Sequence, residues 1–192
     1  MAINEKEWRS RVDRLTIPGK GFIPLLLPEI AACKTCLYIG ANARQFTLHP
    51  ILRHCKLTVL EIWKPYVDGL RIAKPEVEVI QGDVRSMPAC MEDRWWDLIV
   101  WWHGPEHILI PESVPLLDSK SGRLPAIAKV GVLLGTTYGK TDDQPYDDNP
   151  YQFHVSGWSL PDFECLGYAA IPVEKNGKRI HIIAAWKREK EV

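Results

Sequence analysis

The sequence predicts a single α/β domain in which a mostly parallel sheet is flanked by helices and ends in an antiparallel β-hairpin. Short apolar runs alternate with helix-compatible stretches from residue 35 onward, a pattern typical of a parallel sheet covered on both faces. Two strand-like runs near the C-terminus flank Asn176-Gly177, and Asn-Gly is the strongest short hairpin signal. The 192 residues, 46% of them hydrophobic, suffice for one well-buried core.

The first 34 residues predict a helical extension that precedes the alternating region at 35–192. Asn4 suits a helix N-cap. The apolar residues after it recur at spacings of four and three, which places them on one helical face: Trp8, Val12 and Leu15. This helix ends before Pro18-Gly19, and a proline-interrupted apolar stretch over 22–32 indicates a loop with a short helix.

Five apolar runs predict the parallel strands. In chain order they are residues 37–39, 57–62, 77–80, 97–102 and 130–134. A helix is predicted over 64–73, with Pro65 suited to its first turn. The final hairpin is predicted from runs 165–174 and 179–187, because a type I′ turn needs the positive φ that Asn and Gly adopt.

Composition excludes several classes of function. Lys+Arg and Asp+Glu both number 24, so the neutral chain has no broad electrostatic reason to bind nucleic acid or anionic lipid. Five cysteines do not form a disulfide framework and indicate a reducing compartment. Residues 1–10 lack a signal-peptide apolar block, and no apolar run approaches the roughly 20 residues of a membrane helix. We therefore expect a cytoplasmic protein that binds neither nucleic acid nor membrane.

The predicted ends of the first three strands carry candidate ligand-binding residues. In open α/β sheets a ligand binds beyond the carboxyl ends of the strands. Glu61 lies at the end of the second run, and an acid about 20 positions after the first glycine, here Gly40, suits both hydroxyls of an adenosine ribose. Asp83 follows the third run, where a carboxylate can accept a hydrogen bond from an adenine amine. Both could instead be ordinary surface acids at strand ends, and Gly82 could be only a turn residue.

Histidines follow the fourth run in the segment His103-Gly104-Pro105-Glu106-His107. It formally matches the H-x-x-E-H pattern of a zinc protease, which requires one continuous helix. The central Gly-Pro disfavours that helix, so we expect a loop and no metal site. His103, His107 and, further on, His154 are candidate bases or acceptor contacts, with a purely structural role as the alternative.

The order and spacing of these segments resemble those of the class I S-adenosylmethionine-dependent methyltransferases. The matching residues are Leu37-Tyr38-Ile39-Gly40, Leu60-Glu61, Gln81-Gly82-Asp83-Val84, Trp96-Asp97-Leu98-Ile99-Val100, Lys129-Val130-Gly131-Val132-Leu133-Leu134, and His154-Val155-Ser156-Gly157-Trp158 with Asp162-Phe163. The resemblance, over roughly residues 35–187, implies a Rossmann-like sheet of seven strands. Tyr38 stands where the family usually has an acid, and Asn42 and Arg44 stand where it usually has glycines.

The resemblance also implies S-adenosyl-L-methionine as cofactor and a role for each candidate residue. Glu61 would hold the ribose, Asp83 and Val84 the adenine, and Arg44 the methionine carboxylate. Trp101 or Trp102 would lie against adenine or the sulfonium. The complete set of cofactor-binding candidates is Tyr38, Gly40, Asn42, Arg44, Glu61, Ile62, Gly82, Asp83, Val84, Trp101 and Trp102.

The predicted function is methyl transfer to an oxygen or nitrogen of a small-molecule acceptor, with one histidine sufficing as base. An alternative is a non-catalytic binding or assembly module of the same fold, suggested by the residues at 38, 42 and 44. A third hypothesis is an enzyme that cleaves or rearranges the same cofactor. A nicotinamide enzyme is disfavoured because its phosphate loop would need glycines at Asn42 and Gln45.

Overall fold

The structure is a computed structural model that describes residues 32–41, 55–142, 145 and 148–188. The predicted N-terminal helix, as well as Asn42 and Arg44, lies outside these residues. The seven strands of the described part are β1 (Thr35–Ile39), β2 (Lys56–Glu61), β3 (Glu78–Gln81), β4 (Trp96–Trp102), β5 (Ala128–Thr137), β6 (Ala169–Lys175) and β7 (Lys178–Lys187).

The strands form one mixed sheet in the order β3-β2-β1-β4-β5-β7-β6. Strands β1 to β5 are parallel to one another. Strand β7 runs antiparallel to both β5 and β6. The predicted fold class, a mostly parallel seven-stranded sheet that ends in an antiparallel hairpin, is confirmed.

Four α-helices and three 3₁₀ turns connect the described strands. The helices are α1 (Lys64–Ala73), α2 (Ile110–Leu117), α3 (Arg123–Ile127) and α4 (Leu160–Cys165), and the 3₁₀ turns are Ala89–Met91, Pro105–His107 and Pro150–Gln152. Helix α1 has the predicted bounds, with proline in its first turn. Among the described residues, none of the helices combines the length and the apolar character that crossing a membrane requires.

Alternation along the strands builds an apolar layer on each face of the sheet. In β1, Tyr38 packs on the face that α1 covers, through Val67 and Leu70. Its neighbours Leu37 and Ile39 pack on the other face, which α2, α3 and α4 cover. Successive side chains of a strand point to opposite faces, so two-sided burial explains why the central strands read as continuous apolar runs.

The C-terminal hairpin has the predicted turn but a later start. Asn176 has φ 53° and Gly177 has φ 73°, the left-handed pair that a type I′ turn requires. The prediction that the first hairpin strand begins at residue 165 is wrong. Asp162 accepts the N–H of Ser159 at 2.7 Å and thereby caps α4, and β6 begins only after the chain has turned at Gly167, which has φ 85°.

Candidate active site

A cleft of about 260 Å³ lies at the carboxyl ends of the parallel strands. The ends of β1, β2, β4 and β5 contribute Ile39, Glu61, Trp101 and Thr137, and the segment 149–154 contributes the facing wall. The cleft brings together ten of the candidate site residues: Gly40, Glu61, Ile62, Gly82, Asp83, Val84, Trp101, His103, His107 and His154.

The side chains of Tyr38 and Trp102 lie elsewhere, in contrast to the expectation that they contact the cofactor. Both are buried in the apolar layer that α1 covers, and neither lines the cleft. The reason is strand alternation, because Ile39 and Trp101, one residue away from each, belong to the opposite face. Burial also raises the pKa of Tyr38 well above its ordinary value, so its hydroxyl stays protonated. The sequence left open whether Trp101 or Trp102 faces the ligand, and in the structure it is Trp101 that lines the cleft.

Gly40 leaves the backbone without a side chain at the carboxyl end of β1. It has φ 74°, a conformation that L side chains adopt only with strain. Its N–H donates to the carbonyl of Leu60 at 2.9 Å, which fixes this end of β1 against β2. A Cβ atom at Gly40 would meet nothing within 4 Å. A ligand can therefore approach the main chain of Gly40 directly.

Glu61 places a buried carboxylate at the cleft. Its side chain is 4% exposed, and its Oε1 accepts the N–H of Trp63 at 2.8 Å. Burial raises the pKa of Glu61 to about 7, although hydrogen bonds from the backbone N–H groups of Trp63 and Ile62 oppose the rise. Such a carboxylate gains much from additional donors, and the paired hydroxyls of a ligand would supply them.

Asp83 also lines the cleft, but its carboxylate is already engaged by Arg85. The Arg85 Nη2 donates to Asp83 Oδ2 at 2.6 Å, and its Nε lies 3.1 and 3.0 Å from the two carboxylate oxygens. Burial raises the pKa of Asp83, but the hydrogen bonds and charge of Arg85 outweigh burial and lower it overall. Arg85 also donates to Glu112 at 2.9 Å. A ligand amine at Asp83 would thus share the carboxylate with an existing ion pair.

Two glycines near the cleft are required by packing. A Cβ at Gly82 would lie 2.5 Å from Cγ of Pro88, far closer than van der Waals contact. A Cβ at Gly104 would overlap the indole of Trp101. Gly104 therefore lets the histidine-containing turn pack directly on Trp101, the indole that lines the cleft.

The turn after β4 brings the imidazole of His103 into contact with the carboxylate of Glu106. His103 has φ 49°, and its N–H donates to the carbonyl of Gly135 at 2.8 Å. The chain then forms the 3₁₀ turn Pro105–His107. The segment is therefore not the continuous helix of a zinc protease, which confirms the prediction that Gly-Pro disfavours such a helix. The Nδ1 of His103 lies 3.2 Å from Oε1 of Glu106. Burial raises the pKa of Glu106, but the hydrogen bond from His103 and nearby imidazole charge lower it overall, which keeps this fully buried carboxylate ionised.

The segment that carries His154 is anchored on this turn. The N–H groups of Val155 and Ser156 both donate to the carbonyl of Glu106, at 2.9 and 3.1 Å. As a result the rings of His107 and His154 meet with their centroids 4.9 Å apart. Burial lowers the pKa of His107, outweighing the opposing charge of Glu106. The Nδ1 of His107 lies 3.2 Å from the carbonyl oxygen of Phe153.

Sequence reasoning missed several residues that line the cleft: Tyr66, Arg85, Thr137, Gln152 and His181. His181 reaches the cleft because β7 pairs with β5 in a register that sets it opposite Thr137. Its ring lies 5.1 Å from that of His103. Counting residues forward from the hairpin turn would have placed His181 only approximately, since the β6–β7 register shifts between Val173 and Glu174.

The strand order and the position of the cleft define the fold of the class I S-adenosylmethionine-dependent methyltransferases. No protein-family model matches the sequence, and no curated protein matches it either. Solved structures do match. The N-methyltransferase NodS from Bradyrhizobium japonicum WM9 is 14% identical with a TM-score of 0.59, and the match covers 97% of each chain.

Two further structures show the same fold. SibL, an S-adenosylmethionine-dependent methyltransferase solved in its apo form, is 15% identical with a TM-score of 0.59 over 86% of this chain; the match spans 53%, about half, of SibL. DhpI, solved in complex with SAH, is 15% identical with a TM-score of 0.58, over 81% of this chain and 76% of DhpI. At these identities the likeness is one of fold.

Proposed function

We propose that this protein binds S-adenosyl-L-methionine and transfers a methyl group to an oxygen or nitrogen of a small-molecule acceptor. The observation that carries the proposal is the buried carboxylate of Glu61, which opens onto the same cleft as the bare backbone of Gly40 and four histidines. The fold shared with NodS, SibL and the SAH-bound DhpI supports it. The cofactor supplies an activated methyl group on a sulfonium centre.

The residues at the ends of β1 to β3 fit the nucleoside part of this cofactor. Glu61 is the acceptor for the two ribose hydroxyls, since one of its oxygens is held by the chain while the side chain faces the cleft. Val84 and the backbone beside Asp83 line the position for adenine. Trp101 presents an aromatic surface to the cleft, which suits a planar base or a cationic centre.

The other half of the cleft offers imidazole groups to the acceptor. His103, His107, His154 and His181 all line it. In its neutral form His107 donates Nδ1–H to the carbonyl of Phe153, which leaves the lone pair on Nε2. Because burial lowers its pKa, His107 is neutral at physiological pH and can receive the proton of an acceptor hydroxyl at Nε2.

A hydrogen bond across the mouth of the cleft favours a small acceptor. Gln152, from the facing wall, donates its amide Nε2–H to the hydroxyl of Tyr66 in α1 at 2.8 Å. Because Gln152 and Tyr66 line the cleft on its two sides, this hydrogen bond narrows the entrance to the cleft. We place the activity in the cytoplasm, where the thiols of the five cysteines stay reduced.

Calorimetric titration of the full chain with S-adenosylmethionine and with S-adenosylhomocysteine tests the cofactor assignment, with NAD as the control ligand. Saturable binding of the two sulfur compounds and none of NAD supports the proposal. Absence of heat at sub-millimolar cofactor would instead favour a non-catalytic module of the same fold. One observation favours the non-catalytic module: the Asp83 carboxylate already forms an ion pair with Arg85 and is less able to bind a ligand amine.

A further inference from the structure

Three side chains at the acceptor side of the cleft form a compact set of metal-ligand groups. One ligand-capable atom from each of Glu106, His107 and His154 lies within 4.8 Å of the other two. Two imidazoles and one carboxylate form a ligand set that binds Zn²⁺ in catalytic sites and Fe²⁺ in facial triads, in both cases with positions left open.

The surroundings of the two imidazoles orient them as metal ligands. A histidine that binds a metal through one ring nitrogen is commonly held at the other by an oxygen atom. The Nδ1 of His107 lies 3.2 Å from the carbonyl oxygen of Phe153, and the Nδ1 of His154 contacts the hydroxyl of Thr141. With Nδ1 on an oxygen atom in each case, Nε2 is the nitrogen that each ring would present to a metal.

The carboxylate of Glu106 is the strongest indication of a cation site. Its Oε1 is held by His103, but its Oε2 is fully buried and makes no hydrogen bond with any described residue. The side chain is 0% exposed, and a charged oxygen buried without a partner is costly. A divalent cation bound at Oε2 would supply the partner.

The backbone holds the cluster in place before any metal binds. Besides the two N–H groups that anchor residues 155 and 156 on the carbonyl of Glu106, the hydroxyl of Ser156 donates to the carbonyl of Pro105 at 3.1 Å. The indole N–H of Trp158 in turn donates to that hydroxyl at 3.1 Å. His154 is thus attached to a segment that is tied by several hydrogen bonds to the turn carrying the other two ligands.

We propose that Glu106, His107 and His154 bind one divalent transition-metal ion, of which Zn²⁺ best suits the ligand set, with an open coordination position toward the cleft. His107 and His154 line the cleft while Glu106 lies behind them, so the open position faces the acceptor. This proposal replaces our sequence-based expectation of no metal site. His103 is not a ligand here but positions Glu106 through its Nδ1.

A metal at this site would activate the hydroxyl group of the methyl acceptor. This consequence rests on the proposed methyltransferase function. With the metal on its Nε2, His107 would no longer act as the base proposed above. A metal with an open position would instead bind an acceptor oxygen and lower the pKa of its hydroxyl group. The substrate class that fits is a hydroxyl-bearing small molecule able to offer an oxygen to the ion. Metal binding itself does not depend on that function.

Cobalt titration of the metal-stripped full chain tests the site, because Co²⁺ in nitrogen–oxygen sites has visible absorption. We expect saturable 1:1 binding that Zn²⁺ displaces, and a Zn²⁺-dependent rise in Tm. His107→Ala and His154→Ala should each weaken Co²⁺ binding by at least about tenfold. Glu106→Gln, which preserves the side-chain shape, should weaken it as well. His181→Ala removes an imidazole from the same cleft outside the cluster and should retain wild-type affinity. Circular dichroism and thermal unfolding establish that each variant is folded.

Several results would overturn the site. One is the absence of saturable Co²⁺ binding, and another is a Co²⁺ affinity that is unchanged in both histidine variants and in Glu106→Gln. A third is a thiolate charge-transfer band in the Co²⁺ spectrum, which would assign the metal to cysteines. Calorimetry with S-adenosylmethionine is run on the same samples. Metal binding without cofactor binding refutes the proposed function and leaves the site standing, whereas cofactor binding without metal binding refutes the site alone.

Discussion

Replacing Glu61 with glutamine should stabilise the ligand-free protein at alkaline pH and, at the same time, weaken its binding of S-adenosylmethionine. Burial raises the pKa of this carboxyl from the ordinary 4.5 to about 7. Between these two values the folded state binds more protons than the unfolded state, so Glu61 lowers the stability of the protein as pH rises through this window. The full effect, reached above pH 7, is roughly 3 kcal/mol.

Glutamine keeps the shape of Glu61 and can still accept the N–H of Trp63, but it has no charge to desolvate. We therefore expect Glu61→Gln to unfold with a free energy up to about 3 kcal/mol higher than wild type at pH 8 and close to wild type at pH 4.5. Urea denaturation at both pH values, followed by circular dichroism, measures the difference. A stability difference that is the same at pH 4.5 and pH 8 would refute the assigned burial and pKa.

The affinity of the same variant tests the role of Glu61 in the cleft. Loss of charge-assisted hydrogen bonds to two ribose hydroxyls should weaken S-adenosylmethionine binding by about 1–3 kcal/mol, or roughly 5- to 150-fold in Kd. Glu76→Gln is the matched control, since Glu76 is exposed beyond the end of α1 and lies outside the cleft. Wild-type affinity in Glu61→Gln would remove Glu61 from the proposed site.

Gly40→Ala should lose about 1–2 kcal/mol of stability because its φ of 74° strains an L residue; chemical denaturation checks this, and an unchanged midpoint would contradict the backbone conformation. Arg85→Ala should raise the pKa of Asp83, since burial then acts without the opposing ion pair; an NMR pH titration measures it, and a fall would contradict the cause assigned here. Trp101→Phe and Trp102→Phe should both destabilise the core, but only the first should weaken S-adenosylmethionine binding, because only Trp101 lines the cleft. Equal loss of affinity in both variants would argue against that assignment.

Local signals explain the parts of the fold that could be predicted from the sequence. Helix α1 has the predicted bounds, because a proline suited to the first turn marks its beginning. The turn at Asn176-Gly177 has the predicted conformation, because only such residues adopt positive φ readily. The start of β6 was misplaced, because Cys165 is the last residue of a short capped helix and residues 166–168, whose mostly apolar character also suits a strand, connect it to β6.

The candidate site could be predicted only in outline. The rule that ligands bind at the carboxyl ends of parallel strands identified most of the cleft residues that lie directly after β1 to β4. It could not show that Trp101 lines the cleft while Trp102 is buried in the opposite layer. Alternation predicts that neighbouring residues differ in face, but which face opens onto the cleft depends on the helices and loops that cover the sheet.

The amino-acid sequence by itself determined the alternation of strands and helices, the closing hairpin and the edge of the sheet where a ligand can bind. Each of these is indicated by a pattern of residues close together in the chain. Only the tertiary structure decided that Arg85 engages Asp83, that His181 enters the cleft and that His154 meets Glu106 and His107. The contacts of His181 and His154 join segments that are distant in sequence. Strand register and the anchoring of the loop bring these segments together, and both arise from packing of the whole domain.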